Sequence, residues 1–207
     1  MRAVDQLTRG AQRLGLPLFS CSSSKHAFTQ HQLLVLVVVK QMLSKSYRDF
    51  VSWLELMTAL RRRLRLMTMP HFTTLHKFSL RLEAHLLDGL MATLASSVAC
   101  DGVLAVDSTG VQSGSASYYY IETLARQENA GTMRRRAIRR HIKLTLVVDV
   151  GSQAIVSMLT TPGPDADFQH FRPVLEKAVV QGFSVAAVLA DRGYDSESNR
   201  RFVVHEL

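Results

Sequence analysis

The 207-residue chain is long enough to bury a core, and 47% hydrophobic with 20% charged residues excludes intrinsic disorder. Lysine and arginine exceed aspartate and glutamate by 25 to 17, a formal charge of +8 that fits a polyanionic partner. Cys21 and Cys100 have no metal-like spacing, and the longest apolar run is only Leu33 to Val39. These features argue against a disulfide framework, a zinc site and a membrane span, so no membrane partner and a cytoplasmic location are expected.

The N-terminal sequence Met1-Arg2-Ala3-Val4-Asp5-Gln6 lacks the apolar stretch of a signal peptide. Residues 1–28 carry Gly10, Gly15, Pro17 and the run Ser20-Cys21-Ser22-Ser23-Ser24, and they read as an irregular lead-in. Thr29 with Gln32 three residues later has the form of a capping box, predicting a helix over about 30–44. Tyr47, Phe50, Val51 and Leu54 recur at helical spacing and predict a second, shorter helix. After Pro70, a threonine-capped third helix is expected, because Leu75, Phe78, Leu82, Leu86, Leu90 and Leu94 keep helical spacing while Lys77 and Arg81 take another face. These helices, with the basic turn Arg61-Arg62-Arg63-Leu64-Arg65, allow a DNA-binding helix-turn-helix or a helical bundle with a solvated basic face.

Near residue 100 the pattern changes to short β-prone runs between turns. Val103 to Val106 reads as a strand with Asp107 at its exit, and a long polar excursion follows from Val111 to about Arg140. That excursion holds Tyr118, Tyr119 and Tyr120, which suit packing over a sheet better than stacking on bases, and the basic cluster Arg134, Arg135, Arg136, Arg139 and Arg140. The cluster is a candidate phosphate-backbone contact or a solvated loop. His141 to Val150 and Ala154 to Leu159 form a predicted hairpin around Gly151-Ser152-Gln153. A helix from Phe168 should stop at Gly182, and Val185 to Ala190 should form a buried strand ending in Asp191. The domains expected are therefore the 1–28 lead-in, a helical DNA-binding-like domain over 29–98 and a mixed α/β domain over 99–207, giving an α+β chain.

Either aspartate alone could be a turn or helix cap. Two of them, each after an apolar run and in strands that would lie side by side, form a better candidate for divalent metal, because hard cations prefer oxygen ligands. Asp195 reads as a helix cap, Asp149 as a turn residue, and Asp165 and Asp167 as capping residues for the helix that follows them.

The order strand, hairpin, helix, strand, helix matches the ribonuclease H-like arrangement. Leu104-Ala105-Val106-Asp107-Ser108-Thr109-Gly110, His141-Ile142-Lys143-Leu144 through Asp149, and Leu189-Ala190-Asp191-Arg192-Gly193-Tyr194-Asp195 resemble the DDE-type transposases of insertion-sequence families four and five. The resemblance spans roughly residues 100–205, with a looser likeness of Met69 to Leu75 to the family's helix-turn-helix region. It implies metal-dependent DNA strand cleavage and transfer with Mg²⁺ or Mn²⁺, Asp107 and Asp191 as catalytic and metal-binding residues, and transposon-end DNA as partner. Lys77, Arg81 and Lys143 join the five arginines as candidate DNA contacts, and a homo-oligomer is compatible with the resemblance. The family's third acidic ligand is a glutamate on a helix after a stretch with tyrosine, arginine and lysine. Glu197 and Glu206 do not match that stretch, so the ribonuclease H-like domain is expected to be incomplete and the glutamate to lie past Leu207. The competing expectation is a catalytically inactive DNA-binding truncation product that regulates or inhibits transposition. A structure-selective nuclease on the same fold is a third reading.

Overall fold

The computed structural model describes residues 2–23, 25–112, 141–162 and 165–207. The chain divides into two compact units, residues 1–94 and 95–207.

The first unit is helical: α1 (Arg2–Arg13), α2 (Gln30–Met42), α3 (Tyr47–Leu56), α4 (Thr58–Arg63), α5 (Phe72–Ser79) and α6 (Ala84–Ala95). The capping box of α2 forms as its sequence dictates: Thr29 Oγ1 accepts from the Gln32 N–H, and the Gln32 side chain accepts from the Thr29 N–H. Four consecutive residues, Leu33 to Leu36, are buried in α2, which places more than one face of this helix in the core. It packs against α1 and α5, and α3 packs against α5. Phe50, Leu54 and Leu75 complete a fully buried centre, each such side chain contributing about 1.5–3 kcal/mol relative to exposure.

Two expectations for this unit are corrected. The supposed irregular lead-in is helical over Arg2–Arg13, with Leu7 and Ala11 buried one turn apart. Gly10 discourages helix by propensity, yet it lies within α1 and close to α6, where a Cβ on it would come within 2.8 Å of Leu90 Cδ1. The single long helix after Pro70 is two helices, and His71 rather than a threonine caps the first by accepting from the Thr73 N–H. The Ser79 hydroxyl donates to the His76 carbonyl at 2.9 Å, a side-chain bond that competes with the helical ladder where α5 ends.

The second unit is a four-stranded sheet of β1 (Val103–Gln112), β2 (His141–Asp149), β3 (Ile155–Pro162) and β4 (Ala187–Ala190), in the order β3-β2-β1-β4. β2 pairs antiparallel with both β1 and β3, whereas β4 runs parallel to β1. The helix α7 (Phe168–Val180) packs on β2 and β3, and α8 (Glu197–His205) packs on α7. Leu104, Val106, Val147 and Val156 from the sheet and Phe171, Val174, Leu175 and Ala178 from α7 are buried together. This mixed sheet with its helices is compatible with a ribonuclease H-like fold.

The Gly102 to Val103 start of the sheet is fixed by Asp149, a buried carboxylate that accepts from the Asp101, Gly102 and Ser152 N–H groups and from the Ser152 hydroxyl. The Ser152 bonds are the main reason its pKa is lowered to about 2. Three expectations change here. β1 continues through Asp107 instead of ending before it. β4 is largely exposed instead of buried, with Leu189 52% accessible, because β4 pairs with β1 alone among the described strands. Ser196, not Asp195, caps α8, while Asp195 pairs with Arg200.

Candidate active site

Parallel pairing of β1 with β4 ends at Val106 opposite Ala190. One residue further along both strands stand Asp107 and Asp191, so the two aspartates are neighbours at the point where the strands part, and adjacent strands lie about 4.8 Å apart. Leu104 and Val106 face the α7 layer, and alternation turns Asp107 toward the opposite face. Both aspartates are exposed.

Each carboxylate is oriented by a local backbone bond. Asp107 Oδ1 accepts from the Ser108 N–H at 2.7 Å, and Asp191 Oδ1 accepts from the Gly193 N–H at 2.9 Å, capping the 3-10 turn Arg192–Tyr194. The second oxygen of each has no hydrogen-bond or ion-pair partner among the described residues. The turn-capping account of Asp191 is therefore true of one oxygen and leaves the other available.

Around this pair runs a set of polar contacts that sequence reading did not single out. Ser108 Oγ lies 2.5 Å from the Tyr194 hydroxyl and 2.8 Å from Thr145 Oγ1. Tyr194 is buried with its ring 5.8 Å from that of Phe171. Burial raises the Tyr194 phenol pKa, the Ser108 hydrogen bond opposes this, and the negative charges of Asp167, Asp107 and Asp191 add to the rise. Strand alternation carried the signal for Ser108, since it shares the inward face of Leu104 and Val106.

Asp167 also approaches the pair. A Cβ placed on Gly193 would lie 3.1 Å from Asp191 Oδ1 and 3.5 Å from Asp167 Oδ2, so these two carboxylates converge on that glycine. Asp167 occupies the position before α7 but makes no side-chain cap bond; its Oδ1 pairs with the Lys143 ammonium, which also donates to the Asp165 carbonyl at 2.5 Å. The expected capping role of Asp167 is thus replaced by an ion pair. Lys143 is buried in this contact.

The remaining predicted site residues are dispersed. Lys77 lies on α5 and Arg81 just beyond it, both exposed in the first unit. Arg134, Arg135, Arg136, Arg139 and Arg140, like the three tyrosines, lie outside the described residues. Glu197 pairs with Arg201, and Glu206 with Arg172.

The donor chemistry suits a hard divalent cation, because Mg²⁺ is commonly held by one or two carboxylates while water and phosphate oxygens fill its shell. Among the described residues, no group of three or more His, Cys, Asp or Glu side chains could hold a metal ion. No described helix is long and apolar enough to cross a membrane.

A family model described as "Transposase DDE domain" matches residues 99–205, just over half of the chain. No curated protein and no solved structure matches it.

Proposed function

Because the chain belongs to the transposase DDE domain family, we propose that it is an insertion-sequence transposase whose Asp107 and Asp191 hold Mg²⁺ or Mn²⁺ for DNA strand cleavage and transfer. The observation that carries this reading is the strand register. It brings to one point of the sheet edge two aspartates far apart in sequence, each with one oxygen that has no partner among the described residues.

The backbone bonds from Ser108 and Gly193 fix how each carboxylate is turned, so the free oxygens are preorganised instead of being ordered on binding. Such metal ions, when bound, activate the attacking oxygen and stabilise the leaving oxygen of a phosphodiester. The protein's own groups supply negative ligands at one edge and positive charge for the DNA backbone elsewhere. Arg134, Arg135, Arg136, Arg139, Arg140, Lys77 and Arg81 are assigned to phosphate contacts, with Lys143 able to join them only by leaving Asp167. The helical residues 29–98 are assigned to DNA binding, α3 to α5 with their basic residues being the helix-turn-helix-like part. The family's third acidic ligand is assigned to none of Asp167, Glu197 or Glu206, since each is ion-paired.

The test is nicking and joining of transposon-end DNA with Mg²⁺ or Mn²⁺ by a form of the protein that supports transposition. Asp107→Asn and Asp191→Asn should each abolish both steps, and full activity in both variants would overturn the assignment.

The second reading is a catalytically inactive DNA-binding product that regulates transposition, supported by the exposed Lys77 and Arg81 of the helical unit, which do not depend on the two aspartates. It predicts salt-sensitive gel shifts of end DNA without cleavage. Replacing Lys77 and Arg81 by alanine should lower the salt slope by about 0.9 for each phosphate that is no longer neutralised.

A further inference from the structure

Backbone pairing between β1 and β4 stops one residue before the two aspartates, at Val106 and Ala190. No backbone ladder between these strands therefore extends to the carboxylates themselves. The next link across the gap is made by side chains: Ser108, the residue after Asp107, meets the Tyr194 hydroxyl at 2.5 Å, and Tyr194 closes the turn that Asp191 opens. The link is anchored on both sides. Ser108 Oγ also meets Thr145 Oγ1 of β2 at 2.8 Å, and the Tyr194 ring packs on Phe171 of α7. The Tyr194 carbonyl additionally accepts from Asn199 Nδ2 at 2.9 Å, which holds the turn against α8.

We propose that the Ser108–Tyr194 hydroxyl pair is a positioning element that sets the separation of Asp107 and Asp191, so divalent-metal affinity depends on two side chains that are not ligands. This rests on the reading of the two aspartates as a metal site. Tyr194 is buried and Ser108 half-buried between the strand and the turn, and both hydroxyls have partners there, so the pair acts as a rigid spacer. Groups that orient metal ligands typically change affinity or activity 10–100-fold when removed. The three carboxylates that act on the Tyr194 phenol are consistent with its place at the centre of the acidic edge.

The test is titration of the full chain with Mn²⁺ alone, following free Mn²⁺ by electron paramagnetic resonance at a temperature where circular dichroism shows every variant folded. Tyr194→Phe keeps the ring against Phe171 and removes only the hydroxyl; Ser108→Ala removes the other half. Each should weaken Mn²⁺ binding at least about tenfold. The double variant should be no weaker than the weaker single one, because the two hydroxyls form one link. Tyr47→Phe breaks a comparable hydroxyl pair with Ser79 in the helical unit, 2.6 Å long, and should leave Mn²⁺ affinity unchanged. If Tyr194→Phe does not fold, Ser108→Ala, which deletes a single oxygen, decides the matter. Loss of binding in Asp107→Asn with wild-type affinity in the hydroxyl variants would overturn the positioning role and leave the metal site standing. Wild-type chain that binds no Mn²⁺, or Asp107→Asn that binds as well as wild type, would overturn the metal-site reading and the positioning role with it.

Discussion

Lys143 and Asp167 are joined by an ion pair in which the ammonium is buried and the carboxylate is partly open to water. The asymmetry predicts unequal effects of removing either partner. Asp167→Asn keeps an amide oxygen that can accept from the ammonium but removes the negative charge that offsets its burial, and it should destabilise the chain by about 1.5–3 kcal/mol, the usual worth of a hydrogen bond to a charged group. Lys143→Met removes the buried charge and leaves Asp167 able to hydrate, so its effect should be smaller. Urea unfolding of both variants checks the order; equal losses would contradict it.

Asp149 ties the start of β1 to the β2–β3 turn, and its pH behaviour follows from the direction of its shift. The folded-state pKa, about 2, lies below the ordinary carboxylate value of 3.8, so the folded state holds this proton less readily than the unfolded chain. Its stabilising contribution is therefore fully present above the ordinary range and is lost as pH falls from about 4 toward 2. Urea midpoints measured from pH 6 to pH 2 should fall across that window. Asp149→Asn should be less stable than wild type at pH 6 and should lose less on acidification.

Gly102 and Gly182 both have positive φ, +81° and +90°, but only Gly102 is also crowded. A Cβ on Gly102 would lie 3.1 Å from the Ser184 carbonyl oxygen and 3.2 Å from the Ala186 nitrogen, whereas one on Gly182 meets nothing within 4 Å. Gly182→Ala should carry the conformational penalty alone, about 1–3 kcal/mol, and Gly102→Ala should lose more. Thermal unfolding of the two variants tests the ranking.

Much of this architecture could be read from local chemistry. The Thr29–Gln32 capping box, the stop at Gly182 and the order of strands and helices after residue 100 are written in short-range patterns, and they form where expected. The register that aligns Asp107 with Asp191 follows from β1 and β4 lying side by side, which the order of elements suggested. What escaped reading depends on distant partners. Gly10 hid α1 because glycine argues against a helix locally, and the helix is held by buried Leu7 and Ala11 instead. The break after α5 lacks a glycine or proline and is marked only by where the Ser79 hydroxyl turns. Ser108 and Tyr194 lie 86 residues apart, each close in sequence to one of the aspartates, and only the folded chain makes them each other's partner.

The proposal that Asp107 and Asp191 share a metal ion is tested most directly by iron-directed cleavage. Fe²⁺ takes the place of Mg²⁺ at oxygen-ligand sites, and with ascorbate and peroxide it cuts the backbone near where it binds. Mass spectrometry of the fragments should find two cuts, one in β1 around Asp107 and one in the turn after β4 around Asp191. Mg²⁺ should suppress both together, and Asp107→Asn should remove both. Cuts elsewhere in the chain, or cuts near residue 191 that persist unchanged in Asp107→Asn, would contradict a site built from the two aspartates.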